Sequence, residues 1–148
     1  MIKFLKYILP VVVFSFIWNS CNKSSNTATS GLVNVTVNFS FPQYAALNSV
    51  TGYVYIPQSP NGGVRGIILY RVSFDQFNAY ERSCTYNTAT ECAPLVVDKT
   101  GAYIIDSCKN CGSQFLIQTG QVKQGPATIP LTQYKTSFDG NTTVTITN

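Results

Sequence analysis

The chain has no histidine. That excludes a Ser-His-Asp triad, a Cys-His nucleophile pair and any metal site built on imidazole. Charge is scarce as well: charged residues make up 11% of 148 residues, ten Lys and Arg against six Asp and Glu, with no basic run. Without such a run there is no footprint for nucleic acid or for an acidic membrane surface. The six carboxylates (Asp75, Glu81, Glu91, Asp98, Asp106 and Asp139) are scattered, and no pair is spaced for acid–base work. Gly62-Gly63 and Gly112 lack the setting of a phosphate loop. No catalytic constellation is legible, so an electron carrier or a binding module is expected ahead of an enzyme. Internal repeats are absent, and no stretch holds a helical period over ten residues.

The front of the chain reads as a processing segment. Lys3 and Lys6 form a short positive region, and Tyr7 to Trp18 follows as a mostly apolar, uncharged run. Twelve residues are too few to cross about 30 Å of hydrocarbon as a helix, and the length suits a signal peptide. Trp18-Asn19-Ser20-Cys21 then puts a small residue before a cysteine, the pattern read by lipoprotein signal peptidase, with Trp18 where a leucine-like residue is usual. The expectation is a lipoprotein signal over residues 1–20, lipid on Cys21, a polar tether over 21–31 and one domain over 32–148. The tether, rich in Ser, Thr and Asn, cannot bury enough surface to fold. The n-region carries no twin arginine to export a chain already folded around a cluster; Asn22 is not the aspartate that retains many lipoproteins at the inner membrane. A lipid-anchored place in the bacterial cell envelope is therefore expected, at the outer membrane. Loss of Lys3 and Lys6 leaves eight basic against six acidic residues, a net +2.

The remainder reads as strands. Val33 to Phe41 alternates, with Val33, Val35, Val37, Phe39 and Phe41 on one face, the period of a half-buried strand. Further strands are expected at Tyr53–Ile56, Gly66–Val72, Phe77–Arg82, Leu95–Val97, Ala102–Ile105, Gln114–Ile117, Thr132–Phe138 and Thr142–Thr147. Gly66–Val72 is apolar enough for a central strand. Turns are expected at Ser59–Gly63, Asp98–Gly101, Gly120 and Asp139-Gly140-Asn141, the last a strong hairpin signal. Short strands with polar turns at this spacing indicate an all-β fold, a small antiparallel sandwich or barrel.

Apart from Cys21, four cysteines remain: Cys84, Cys92, Cys108 and Cys111. An even number outside the cytosol indicates disulfides, with three pairings available, and a metal site is the competing reading. Their surroundings carry more. Cys84-Thr85-Tyr86 is followed by Cys108-Lys109-Asn110-Cys111-Gly112-Ser113, then by Gly125-Pro126-Ala127-Thr128-Ile129-Pro130-Leu131 and the Asp139-Gly140 hairpin. This order resembles the Rieske iron–sulfur domain, with its Cys-x-His loop, Cys-x-x-His-Gly-Ser loop and Gly-Pro-Ala-x-x-Pro-Leu segment, over about residues 66 to 148. The resemblance implies a small antiparallel β-sandwich with two loops at one tip and a [2Fe–2S] electron carrier with a redox protein as partner; the alternative is a disulfide-stapled lipoprotein without metal that binds an envelope protein or supports the envelope.

The departures from that pattern are chemical. In the family two cysteines bind one iron and two histidines the other. Cys84 and Cys108 fall on the cysteine positions, while Tyr86 and Cys111 stand on the histidine positions. The disulfide that some members form there has no counterpart, because Asn110 stands where the partner of Cys92 would be. Three readings follow: a [2Fe–2S] cluster on Cys84, Cys92, Cys108 and Cys111; two disulfides and no metal; or zinc on the same four thiolates. An all-thiolate cluster would sit near about −400 mV, below the roughly −150 to +300 mV of histidine-ligated centres. Ser113 falls on the serine that the family aims at a cluster sulfur, and Phe115 stands where high-potential members place a tyrosine.

Overall fold

A computed structural model of the protein describes residues 32–86, 93–108 and 111–148. The expected signal segment, Cys21, the tether and Cys92 lie outside the described residues. Within them the chain is nearly all β, as its alternation predicts. Ten strands are present: β1 (Asn34–Asn38), β2 (Tyr53–Ile56), β3 (Ile67–Arg71), β4 (Phe77–Glu81), β5 (Val96–Val97), β6 (Tyr103–Ile105), β7 (Gln114–Leu116), β8 (Val122–Gln124), β9 (Gln133–Phe138) and β10 (Thr143–Thr147). They form a six-stranded sheet in the order β1-β10-β9-β4-β3-β2 and a four-stranded sheet in the order β5-β6-β7-β8. Every pairing is antiparallel.

The larger sheet carries two cores. Side chains alternate across a strand, so Ile67 and Leu69 of β3, with Phe77 and Ala79 of β4, join a core with Val33, Val37, Phe39, Leu47, Val144 and Ile146. Ile68 and Tyr70 of β3, with Tyr80 of β4, face the other way and join Leu95, Ile104, Phe115, Ile117 and Leu131. A strand buried on both faces reads as a continuous apolar run, which explains Ile67–Tyr70. The second core fixes the small sheet against the large one. Two further links stitch them together: the Val97 N–H donates to the Tyr55 hydroxyl at 2.8 Å, and Arg82 Nε donates to the Leu95 carbonyl at 2.9 Å with its guanidinium over the Tyr55 ring. Burial lowers the Arg82 pKa.

Two details depart from expectation. Alternation in the first strand stops early: Phe41 is 56% exposed. Pro42 has no N–H for a ladder, and it starts a 3-10 helix over Pro42–Asn48. That helix is tied by a residue the sequence did not single out. Buried Arg71 donates to the carbonyls of Leu47 (2.8 Å), Asn48 (3.3 Å), Ser73 (3.2 Å) and Phe74, and its guanidinium lies 5.2–6.0 Å from the rings of Phe39, Phe74, Phe77 and Phe138. The other departure is β8, a short strand whose Val-Lys-Gln sequence carries no alternation signal.

Candidate functional site

Three segments meet at one end of the small sheet. The first leaves β4 through Glu81-Arg82-Ser83 to Cys84, Thr85 and Tyr86. Its base is held by Glu81, only 2% exposed. The Glu81 carboxylate accepts the N–H groups of Val64 (2.7 Å), Arg65 (2.9 Å) and Ser83 (3.1 Å), and the hydroxyls of Ser83 (3.1 Å) and Tyr134 (2.7 Å). A buried charge needs such partners. Burial and this carboxylate push the Tyr134 phenol well above the ordinary tyrosine range. Gly63 runs at φ +81°, and a Cβ there would stand 2.6 Å from Glu81 Oε2.

The second segment links β6 to β7. It is closed by the Asp106 N–H to the Ser113 carbonyl at 2.9 Å and turned by the Cys111 N–H to the Cys108 carbonyl at 3.1 Å. Asp106 Oδ1 accepts the Cys108 N–H at 2.8 Å. The third segment is the Gly-Pro-Ala stretch, which packs over both loops. Ala127 N–H donates to the Ser113 hydroxyl at 2.9 Å, and the Thr85 hydroxyl donates to the Ile129 carbonyl at 2.8 Å.

At their junction the sulfurs of Cys84 and Cys111 lie 3.3 Å apart. Cys84 is buried and Cys111 is half-buried. The Cys111 sulfur is 3.0 Å from the hydroxyl of Ser113, which is fully buried. Because that hydroxyl already accepts from Ala127, its own hydrogen is available to the sulfur. Asp106 is 5% exposed, and its Oδ2 has no hydrogen-bond partner among the described residues. One ligand atom each from Cys84, Asp106 and Cys111 lies within 4.8 Å of the other two.

The residues singled out from the sequence thus divide. Cys84, Cys111 and Ser113 come together. Cys108 is disulfide-bonded and stands outside the three-residue group, Tyr86 is 56% exposed, and Cys92 lies outside the described residues. Phe115 is fully buried, as a member of the second core. The four-thiolate set is therefore not gathered among the described residues. Asp106 went unrecognised in the sequence, where its one signal was its place two residues before Cys108. A [2Fe–2S] centre held by these thiolates asks for more room between them than this arrangement gives. With Cys84 and Cys111 on different irons, the bridging sulfides would have to fit between them, and 3.3 Å leaves no space for that. As placed, Cys84 and Cys111 would have to part for a cluster to be held by both.

No family model matches the chain, and no curated protein matches it. Among solved structures it is similar to one described as the complex of reduced oxygenase and oxidized ferredoxin in carbazole 1,9a-dioxygenase. The two are 22% identical, the match covers 78% of this chain and 93% of that one, and the TM-score is 0.48. A likeness of this size carries no argument about chemistry.

Proposed function

We propose that this chain is a membrane-tethered envelope domain on a Rieske-like scaffold, whose tip is a thiol–disulfide pair, Cys84 and Cys111. The observation that carries the reading is the 3.3 Å between the two sulfurs. It exceeds the roughly 2.05 Å of a disulfide, so the pair stands as two thiols poised to join. Joining them removes two protons and two electrons, and a disulfide-bearing oxidoreductase of the envelope is the class of partner that would take them. The closed pair would staple the two loops and present the tip, with Tyr86 and Ile129 exposed, as a surface for an envelope partner. Lipid on Cys21 would hold the domain at the membrane, through acyl chains worth about 0.8 kcal/mol per buried methylene. Among the described residues no helix is long and apolar enough to cross a membrane.

The second reading is the all-thiolate [2Fe–2S] carrier. What favours it is the convergence of both cysteine loops on the Gly-Pro-Ala segment, with Ser113 beside a cysteine sulfur. It requires Cys84 and Cys111 to part and Cys108 to be reduced. One experiment separates the two: alkylation of thiols in the exported protein without reductant, then peptide mapping. A peptide joining Cys84 to Cys111 supports the pair. Iron and sulfide in equal amounts in colourless-to-brown reconstitution support the carrier.

A further inference from the structure

Resting on that reading, we infer that the open, dithiol form of the tip is a site for one borderline-soft divalent cation of the zinc class, held by Cys84, Cys111 and Asp106. The ligand set is two soft sulfurs and one carboxylate oxygen, within 4.8 Å of one another. Three protein ligands, with Cys111 half-buried, are the make-up of a tetrahedral site whose fourth position is open. The independent observation is Asp106. A carboxylate at 5% exposure with an oxygen that no group among the described residues satisfies is costly. Its other oxygen is taken by the Cys108 N–H, which fixes the carboxylate plane. A cation between the sulfurs and Asp106 supplies the missing partner.

The distances suit this use. Two thiolates at about 2.3 Å from one tetrahedral zinc stand about 3.8 Å apart. The observed 3.3 Å lies between that and the disulfide, so a small separation reaches the metal form and a small approach the oxidised form. The Ser113 hydroxyl beside the Cys111 sulfur is the kind of outer partner that orients a ligand and steadies its thiolate. Binding displaces the thiol protons, so affinity rises with pH. Closing the disulfide removes both sulfur ligands, which makes cation and oxidation mutually exclusive.

The test uses the full chain, purified in detergent, reduced without oxygen and titrated with Co²⁺ and Zn²⁺. One cation per chain is expected, with a thiolate-to-cobalt charge-transfer band that vanishes on oxidation. C92S/C108S should retain the band. C84S and C111S should abolish it. D106N should weaken binding at least about tenfold, since loss of a ligand costs no less than loss of an outer partner. Unchanged binding in D106N, or loss of the band in C92S/C108S, overturns the inference, as does a reduced wild type that takes up no cation. C111S, at the half-buried position, keeps the test sound if D106N does not fold. Disulfide mapping on cation-free wild type tests the underlying pair separately: a disulfide without cation uptake sinks this inference alone, and cation uptake without a disulfide sinks only the pair.

Discussion

Arg71 and Glu81 are two buried charges with full sets of partners, and they do different work. Arg71 gathers carbonyls from the end of the 3-10 helix and the β3–β4 turn, so its loss leaves those acceptors inside a ring of aromatics. R71M should destabilise the fold by about 3 kcal/mol or more, the range for breaking a buried charged network, as read by urea unfolding. Glu81 fixes the base of the Cys84 loop, and E81Q should both lower stability and speed alkylation of Cys84 in the reduced protein. Tyr80 sets a limit on alkaline stability. Burial pushes its phenol up to about 12 from an ordinary value near 10. The folded state therefore favours the neutral form: this contribution is full below about pH 10 and is lost as pH rises toward 12. Y80F should flatten that alkaline decline, seen as melting temperature against pH.

At the scale of elements, most strands were legible because their side chains obey simple periods. The β9–β10 hairpin formed around Asp139, whose carboxylate accepts the N–H groups of Asn141 and Thr143, as the Asp-Gly-Asn turn foretold. Asp98 caps the β5–β6 turn in the same way. Only the structure shows that β3 divides its side chains between two cores. Both faces should matter equally: L69A and I68A should each cost about 2–5 kcal/mol, although they empty different cores. The 3-10 helix escaped sequence reading because seven residues are too few for a helical period, and its main tether, Arg71, comes from a distant strand. The cysteine tip was half legible. The family resemblance placed the two loops at one tip and pointed to Cys84, Cys111 and Ser113 among its motif positions, while the packing of the Gly-Pro-Ala segment on them is seen only in the structure. It could not rank the four cysteines, because pairing depends on three-dimensional approach, nor could it mark Asp106, whose meaning lies in its burial.

The whole molecule, as proposed, would carry lipid on Cys21 ahead of a β scaffold with a sulfur tip. C21A should leave the membrane fraction and stop incorporating labelled fatty acid while keeping the same melting temperature, because both cores are built from residues between Val33 and Ile146. The measurement that bears most directly on the central claim is thiol mapping of the exported chain, purified without reductant, reduced, and reoxidised with a disulfide-bearing oxidoreductase. Cys84 and Cys111 should lose alkylation together and appear in one cross-linked peptide, with a mass two hydrogens lower for that pair. Cys84 and Cys111 that stay alkylatable, with iron and sulfide bound in equal amounts, would contradict it.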